Sequence, residues 1–147
     1  MNRRGLIQSG LSLTAVTLLP TPAMAASEEM HAAIKTMFGQ MKLETKHVSL
    51  SIPPIAENGF SVPLEVNVDS PMLETDYIKR IAIFSERNPV PLIAAFDFTP
   101  QSGRAFISTR VRLGGTQTIT AIAQNSDGHL YAGHAKAVVT LAACVVL

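Results

Sequence analysis

From Lys46 onward, apolar and polar residues alternate along the chain with the period of two that places every other side chain on one face of a strand. HVSLSI puts Val48, Leu50 and Ile52 on one side, and VPLEVNVD does the same with Val62, Leu64, Val66 and Val68. RAFISTRVRL separates Ala105, Ile107, Thr109, Val111 and Leu113 from Phe106, Ser108, Arg110 and Arg112. YIKRIAIFS and PLIAAFDF are more continuously apolar, which predicts strands buried on both faces. TITAIAQ and AKAVVTLA complete the set. The breaks fall at residues that turn the backbone readily: Asn58-Gly59, Ser70-Pro71, Asn88-Pro89, Gln101-Ser102-Gly103, Gly114-Gly115 and Ser126-Asp127-Gly128.

Ahead of the strands, SEEMHAAIKTMFGQMKL has helical spacing. Met30, Ile34, Met37 and Met41 share a face, Ser27 is the expected N-cap, and Glu28 and Glu29 follow where the helix dipole favours acids. The methionine stripe is read as packing rather than as a metal site. One short helix followed by about seven short strands, with no helix interleaved, predicts an all-β, antiparallel sandwich of immunoglobulin-like size. No tryptophan and only one cysteine are present, so an antibody-type domain with its inter-sheet disulfide is excluded.

The first residues follow another pattern. Arg3 and Arg4 precede an apolar stretch from Leu11 to Leu19, and Ala23-Met24-Ala25 offers the small residues that a signal peptidase reads. Residues 1–25 are therefore expected to be a secretory signal peptide, the stretch being too short for a bilayer span. The paired arginines suit twin-arginine export to the periplasm, an ordinary secretory leader being the alternative. Residues 26–147 then form the mature domain. Cleavage would take Arg3 and Arg4 from the twelve basic residues, leaving ten against eleven acidic ones. Such a balance, without basic runs, carries no footprint for nucleic acid.

The usual catalytic signatures are missing: no Gly-x-Ser-x-Gly elbow, no phosphate-cradling glycine loop, no His-Glu-x-x-His. His31 and His47 stand apart. The spacing of His129 and His134 puts them on opposite faces of a regular strand, unless a bulge at Gly133 intervenes. Neither catalytic residues, nor metal ligands, nor a cofactor site are expected. Cys144 remains, three residues from the end in VVTLAACVVL. It is either a small apolar residue closing the last strand or a thiol presented on a chain end; an odd cysteine in an exported chain points to an intermolecular bond or a reactive free thiol, and position alone leaves both readings open.

The runs IAENGFSVPLEVNVDSPM and ERNPVPLIAAFDFTPQSGRAFISTRVRLGGTQTITAIAQNSDGHLYAGHAKAVVTL, with the twin-arginine leader, resemble the SoxY family. The resemblance implies an immunoglobulin-like sandwich and a non-enzymatic, covalent sulfur carrier in thiosulfate oxidation. It implies a heterodimer with a SoxZ-like subunit. It also implies transient contacts with the haem protein SoxAX, the hydrolase SoxB and the sulfane dehydrogenase SoxCD. By position it makes Cys144 the sulfur attachment point. The family's tail is Gly-Gly-Cys-Gly-Gly or close to it, whereas Ala142-Ala143 and Val145-Val146-Leu147 flank Cys144 here.

Overall fold

A computed structural model describes residues 22–143, with side chains from Ser27 onward. Helix α1 (Pro22–Phe38) leads into nine strands: β1 (Leu43–Glu44), β2 (Val48–Ser51), β3 (Ile55–Asn58), β4 (Val62–Val68), β5 (Ile78–Ser85), β6 (Leu92–Asp97), β7 (Ala105–Val111), β8 (Gln117–Asn125) and β9 (Leu130–Leu141). Strands β2, β4 and β7 make one antiparallel sheet, and β1-β9-β8-β5-β6 make the other, with β3 also paired to β9.

The alternation read along β4 is obeyed residue by residue. Val62, Leu64, Val66 and Val68 are buried while Pro63, Glu65 and Asn67 face out. Ala105, Ile107 and Val111 of β7 join them, and Leu113 follows just beyond the strand. Across the interior stand Ile81 and Ile83 of β5, Ile119, Ala121 and Ala123 of β8, and Ala137 and Val139 of β9. Each large aliphatic side chain so enclosed contributes about 1.5–3 kcal/mol over an exposed one.

A second, smaller core lies on the outer face of the larger sheet. Ala82, Phe84, Ile122, Leu130 and Ala132 point away from the first core and are covered by Met30 and Phe38 of α1, with Ala33, Ile34 and Met37 at the margin. The rings of Phe38 and Phe84 meet edge to face, centroids 6.5 Å apart. The continuous apolar run of β5 is thus explained: it lies inside its sheet and is enclosed on both faces from Ile81 to Ser85.

Four expectations need correcting. PLIAAFDF, expected to be enclosed like β5, is the edge strand β6 and is only half-buried. The sandwich is not wholly antiparallel, because β1 and β3 both run parallel to β9. Helix α1 begins at Pro22, so Ser27 is a helical residue and not the N-cap; proline suits a first turn, where no intrahelical donor is needed. Met41 lies beyond the helix, which stops at Gly39 in the left-handed conformation (φ 76°), and it is exposed.

Candidate functional site

Cys144, which the family resemblance makes the expected sulfur attachment point, lies outside the described residues, as do residues 1–21. What the structure describes is the path leading to it. β9 enters the sandwich at Leu130 and runs twelve residues to Leu141. In its first half it pairs with β8 throughout and, at Leu130 and Tyr131, with β1. In its second half β3 joins its other side, with Ile55 opposite Val138 and Asn58 opposite Leu141.

Three backbone hydrogen bonds close this end of the strand. The Gly59 amide donates to the Leu141 carbonyl (2.7 Å), the Leu113 amide donates to the Gly59 carbonyl (2.9 Å), and the Ala143 amide donates to the Leu113 carbonyl (3.0 Å). The chain is therefore held as far as Ala143, the residue before Cys144. Thr116 anchors the same end: its hydroxyl accepts from the Val139 amide at 3.0 Å.

Leu113 and Thr116 are themselves held by a buried polar cluster. Ser85 and Gln117 are almost fully enclosed, and the Ser85 hydroxyl donates to the Gln117 side-chain oxygen. That oxygen also accepts from the Arg87 amide (3.0 Å), and the Ser85 hydroxyl accepts from the Asn88 amide (3.0 Å). Asn88 reaches across to the other loop, donating to the Arg112 carbonyl (2.8 Å) and accepting from the Gly114 amide (2.8 Å). Among the described residues no buried side-chain polar atom lacks a partner. The cluster locks the loops Glu86–Pro91 and Arg112–Thr116 together, as fully paired buried networks do. Sequence reading saw these loops as turns and missed the cluster. Its signal was a Gln and a Ser bordering otherwise apolar runs.

Arg87, Arg110 and Arg112 stand at this end together with Glu57 and Glu86. Arg110 donates to the Ser61 hydroxyl (2.6 Å) and carbonyl (3.1 Å), and Arg87 to the Thr116 carbonyl (3.4 Å). Neither these nor Arg112 has a carboxylate within ion-pair distance among the described residues. Arg110, Arg112 and Asn88 line a groove of about 420 Å³ between β6 and β7, walled by Val90, Leu92 and Ile93.

The histidines are not gathered here. His47 and His129 lie at the opposite end, in a cleft of about 380 Å³ with Asp69, Asp76, Asp127 and Tyr131. His47 stacks edge-on against Tyr131 at 4.9 Å. His134 is mid-strand, its Nδ1 2.9 Å from the Thr120 hydroxyl. It stands seven positions before Leu141, about 23 Å of extended chain, so no histidine partner for a thiol is built into the described path. Gly133 makes no bulge, since the β8–β9 register runs through it unbroken. Its missing side chain instead lets β2 approach: a Cβ there would sit 2.7 Å from Val48 Cγ1 and 2.8 Å from the Val48 carbonyl oxygen. His31 is exposed on α1. Among the described residues, no three His, Cys, Asp or Glu side chains cluster as a metal site requires.

Residues 34–144 match the family model described as sulfur oxidation protein SoxY. No curated protein matches the chain in sequence. Among solved structures, the sulfur carrier protein SoxY from Chlorobium limicola f thiosulfatophilum is 29% identical, with a TM-score of 0.66 over 78% of this chain and 98% of that one. The superoxide reductase (neelaredoxin) from Ignicoccus hospitalis has a TM-score of 0.57 at 17% identity, covering 73% of this chain and 86% of that one. The superoxide reductase from Nanoarchaeum equitans has a TM-score of 0.55 at 14% identity, covering 66% and 99%. The last two likenesses show a shared fold and nothing of the chemistry.

Proposed function

Because the chain belongs to the SoxY family of sulfur oxidation proteins, we propose that it is a periplasmic covalent carrier which holds thiosulfate-derived sulfur on Cys144. One observation carries the reading: the family match runs from residue 34 to residue 144 and closes on the chain's single cysteine. The chain acts as a presented substrate and not as a catalyst. Its working form is a heterodimer with a SoxZ-like subunit, exported by a twin-arginine leader covering residues 1–25.

The chemistry is that of a lone thiolate. In conjugation, the Cys144 sulfur and the terminal sulfur of thiosulfate form a sulfur–sulfur bond. The thiol proton goes to water, and an electron pair leaves to a haem partner of the SoxAX type. Water then cleaves the bond to the sulfone in a SoxB-type hydrolase, releasing sulfate and leaving a persulfide on Cys144. Where a SoxCD-type dehydrogenase serves the pathway, it accepts electrons from that remaining sulfur while water supplies the oxygen, leaving a sulfone for a second hydrolysis. A second cysteine on the same chain would attack such adducts and divert them into a disulfide, so a single thiol suits the task. Arg87, Arg110 and Arg112 surround the strand ends with positive charge, which favours anionic adducts and anionic partners.

A second reading has a specific observation behind it. Where family members flank the cysteine with glycine, this chain has Ala142 and Ala143, and Ala143 is hydrogen-bonded to Leu113. A tail so held belongs equally to a SoxY-like paralogue serving as a binding or structural subunit. One experiment separates the two. The folded protein is incubated with thiosulfate and the oxidising partner, and its intact mass is measured before and after reduction. A carrier gains a reducible adduct that Cys144→Ala abolishes. A chain whose mass does not change is not a carrier.

A further inference from the structure

Gly59 does not need its glycine for a left-handed turn, since it is not among the positive-φ glycines. What it needs is space. A Cβ at this position would lie 2.3 Å from the Leu113 carbonyl oxygen, 3.1 Å from the Ala143 amide nitrogen and 3.2 Å from Val139 Cγ1. The first contact is with backbone and cannot be relieved by turning a side chain. The oxygen it would displace is the one that accepts the Ala143 amide. The Gly59 amide and carbonyl meanwhile hold Leu141 and Leu113. Gly59 is buried within this crossing. A single residue without a side chain thus brings three chain segments together at the point where the tail leaves the sandwich.

We propose that Gly59 is a positioning residue: through Leu113 it fixes Ala143 and so sets the point from which Cys144 is presented. The inference rests on the carrier reading for its purpose and on Gly59, Leu113 and Ala143 for its geometry. A long flexible arm lets a thiol search for each enzyme. A clamp ending one residue before the thiol instead fixes the point from which that search starts. Orientation of this kind is worth large factors in rate, and small misplacements are correspondingly costly.

The test combines amide exchange with a comparison of two reactions of the same thiol. In the full chain, the Ala143 amide should exchange at least about fivefold more slowly than an unstructured amide, the factor that one net hydrogen bond supplies. In Gly59→Ala that protection should vanish, while amides of the β4–β7 ladder keep theirs. Partner-catalysed transfer of thiosulfate to Cys144 should fall on the order of tenfold in the variant, whereas alkylation by iodoacetamide should not slow. A merely structural glycine would leave the ratio of the two rates unchanged. Should Gly59→Ala not fold, Ala143→Pro removes the donor and sets its ring carbon where the amide hydrogen met the Leu113 carbonyl, so it breaks the same contact from the tail side and should lower the same ratio. Free exchange at Ala143 in the wild type, protection that survives in Gly59→Ala, or an unchanged ratio in the folded variant overturns the proposal. A wild-type Cys144 that takes up no thiosulfate defeats the carrier reading instead, and amide exchange still judges the clamp.

Discussion

Val48 packs its side chain and its carbonyl against the bare Cα of Gly133, and that contact is where β2 closes onto β9. Gly133→Ala must push the two apart. It should destabilise the fold by about 1–3 kcal/mol, as overpacking of a filled interior does, read as a lower urea midpoint at unchanged slope. Gln117 is the second such position. Gln117→Ala strips the Ser85 hydroxyl and the Arg87 amide of a shared partner in a buried setting, at a cost of roughly 1–3 kcal/mol in the same measurement. Neither role was legible in the sequence. Gly133 reads in the sequence as a possible bulge and Gln117 draws no reading, because both roles depend on residues far away in the chain. Cys144 is the reverse case: its singularity and position are visible in the sequence at once, and its role as the attachment point is what the family resemblance implies.

Among the elements, β6 is held by a single neighbouring strand, β5. It is an edge strand, half-buried, and pinned to β5 by Arg80 and Asp97, which stand opposite each other in register. The guanidinium bonds the carboxylate at two points, 2.6 and 3.0 Å, and this hydrogen bonding to Arg80 holds the Asp97 carboxyl below its usual range. A carboxyl whose pKa is lowered on folding adds stability that is present above its unfolded value and is lost as pH falls through its folded value. Amides of β6 should therefore lose exchange protection below the ordinary carboxylate range, and Asp97→Asn should remove that pH dependence. Both groups are well exposed to solvent, so the effect belongs to the edge and leaves global stability almost unchanged. Helix α1 is the opposite case. Phe38 is its deepest contact, against Phe84, and Phe38→Ala should cost about 3–5 kcal/mol by thermal or urea unfolding. The apolar stripe of α1 was readable from its spacing. Its start was not, because a proline-led first turn competes with Ser27, which has every attribute of a cap.

At the scale of the whole molecule, the two ends of the sandwich differ. One gathers His47, His129 and three aspartates around a cleft, and the other gathers Arg87, Arg110, Arg112 and the clamped tail. Ile55 and Val138 pair across β3 and β9 yet stand 67% and 42% exposed, which leaves apolar surface beside the tail. The carrier reading predicts that the chain, expressed with a SoxZ-like subunit, elutes as a heterodimer in size-exclusion chromatography; a chain that stays monomeric beside that subunit contradicts it. Sequencing of the exported protein should find its new amino terminus near Ala26, so that the first turn of α1 is removed and Ser27 comes to stand at the helix end.

Faces, turns and family membership are written in the local order of residues. Alternation with a period of two needs only near neighbours to be read, and a turn needs only its own few residues. What the tertiary structure alone decided is which strands lie side by side. The parallel pairings of β1 and β3 with β9, the demotion of β6 to an edge, and the meeting of Gly59, Leu113 and Ala143 join segments far apart in sequence. Such pairings leave no periodic trace, because they arise from packing the whole core at once. A glycine that reads as half of an Asn-Gly turn thereby becomes the point that anchors the tail.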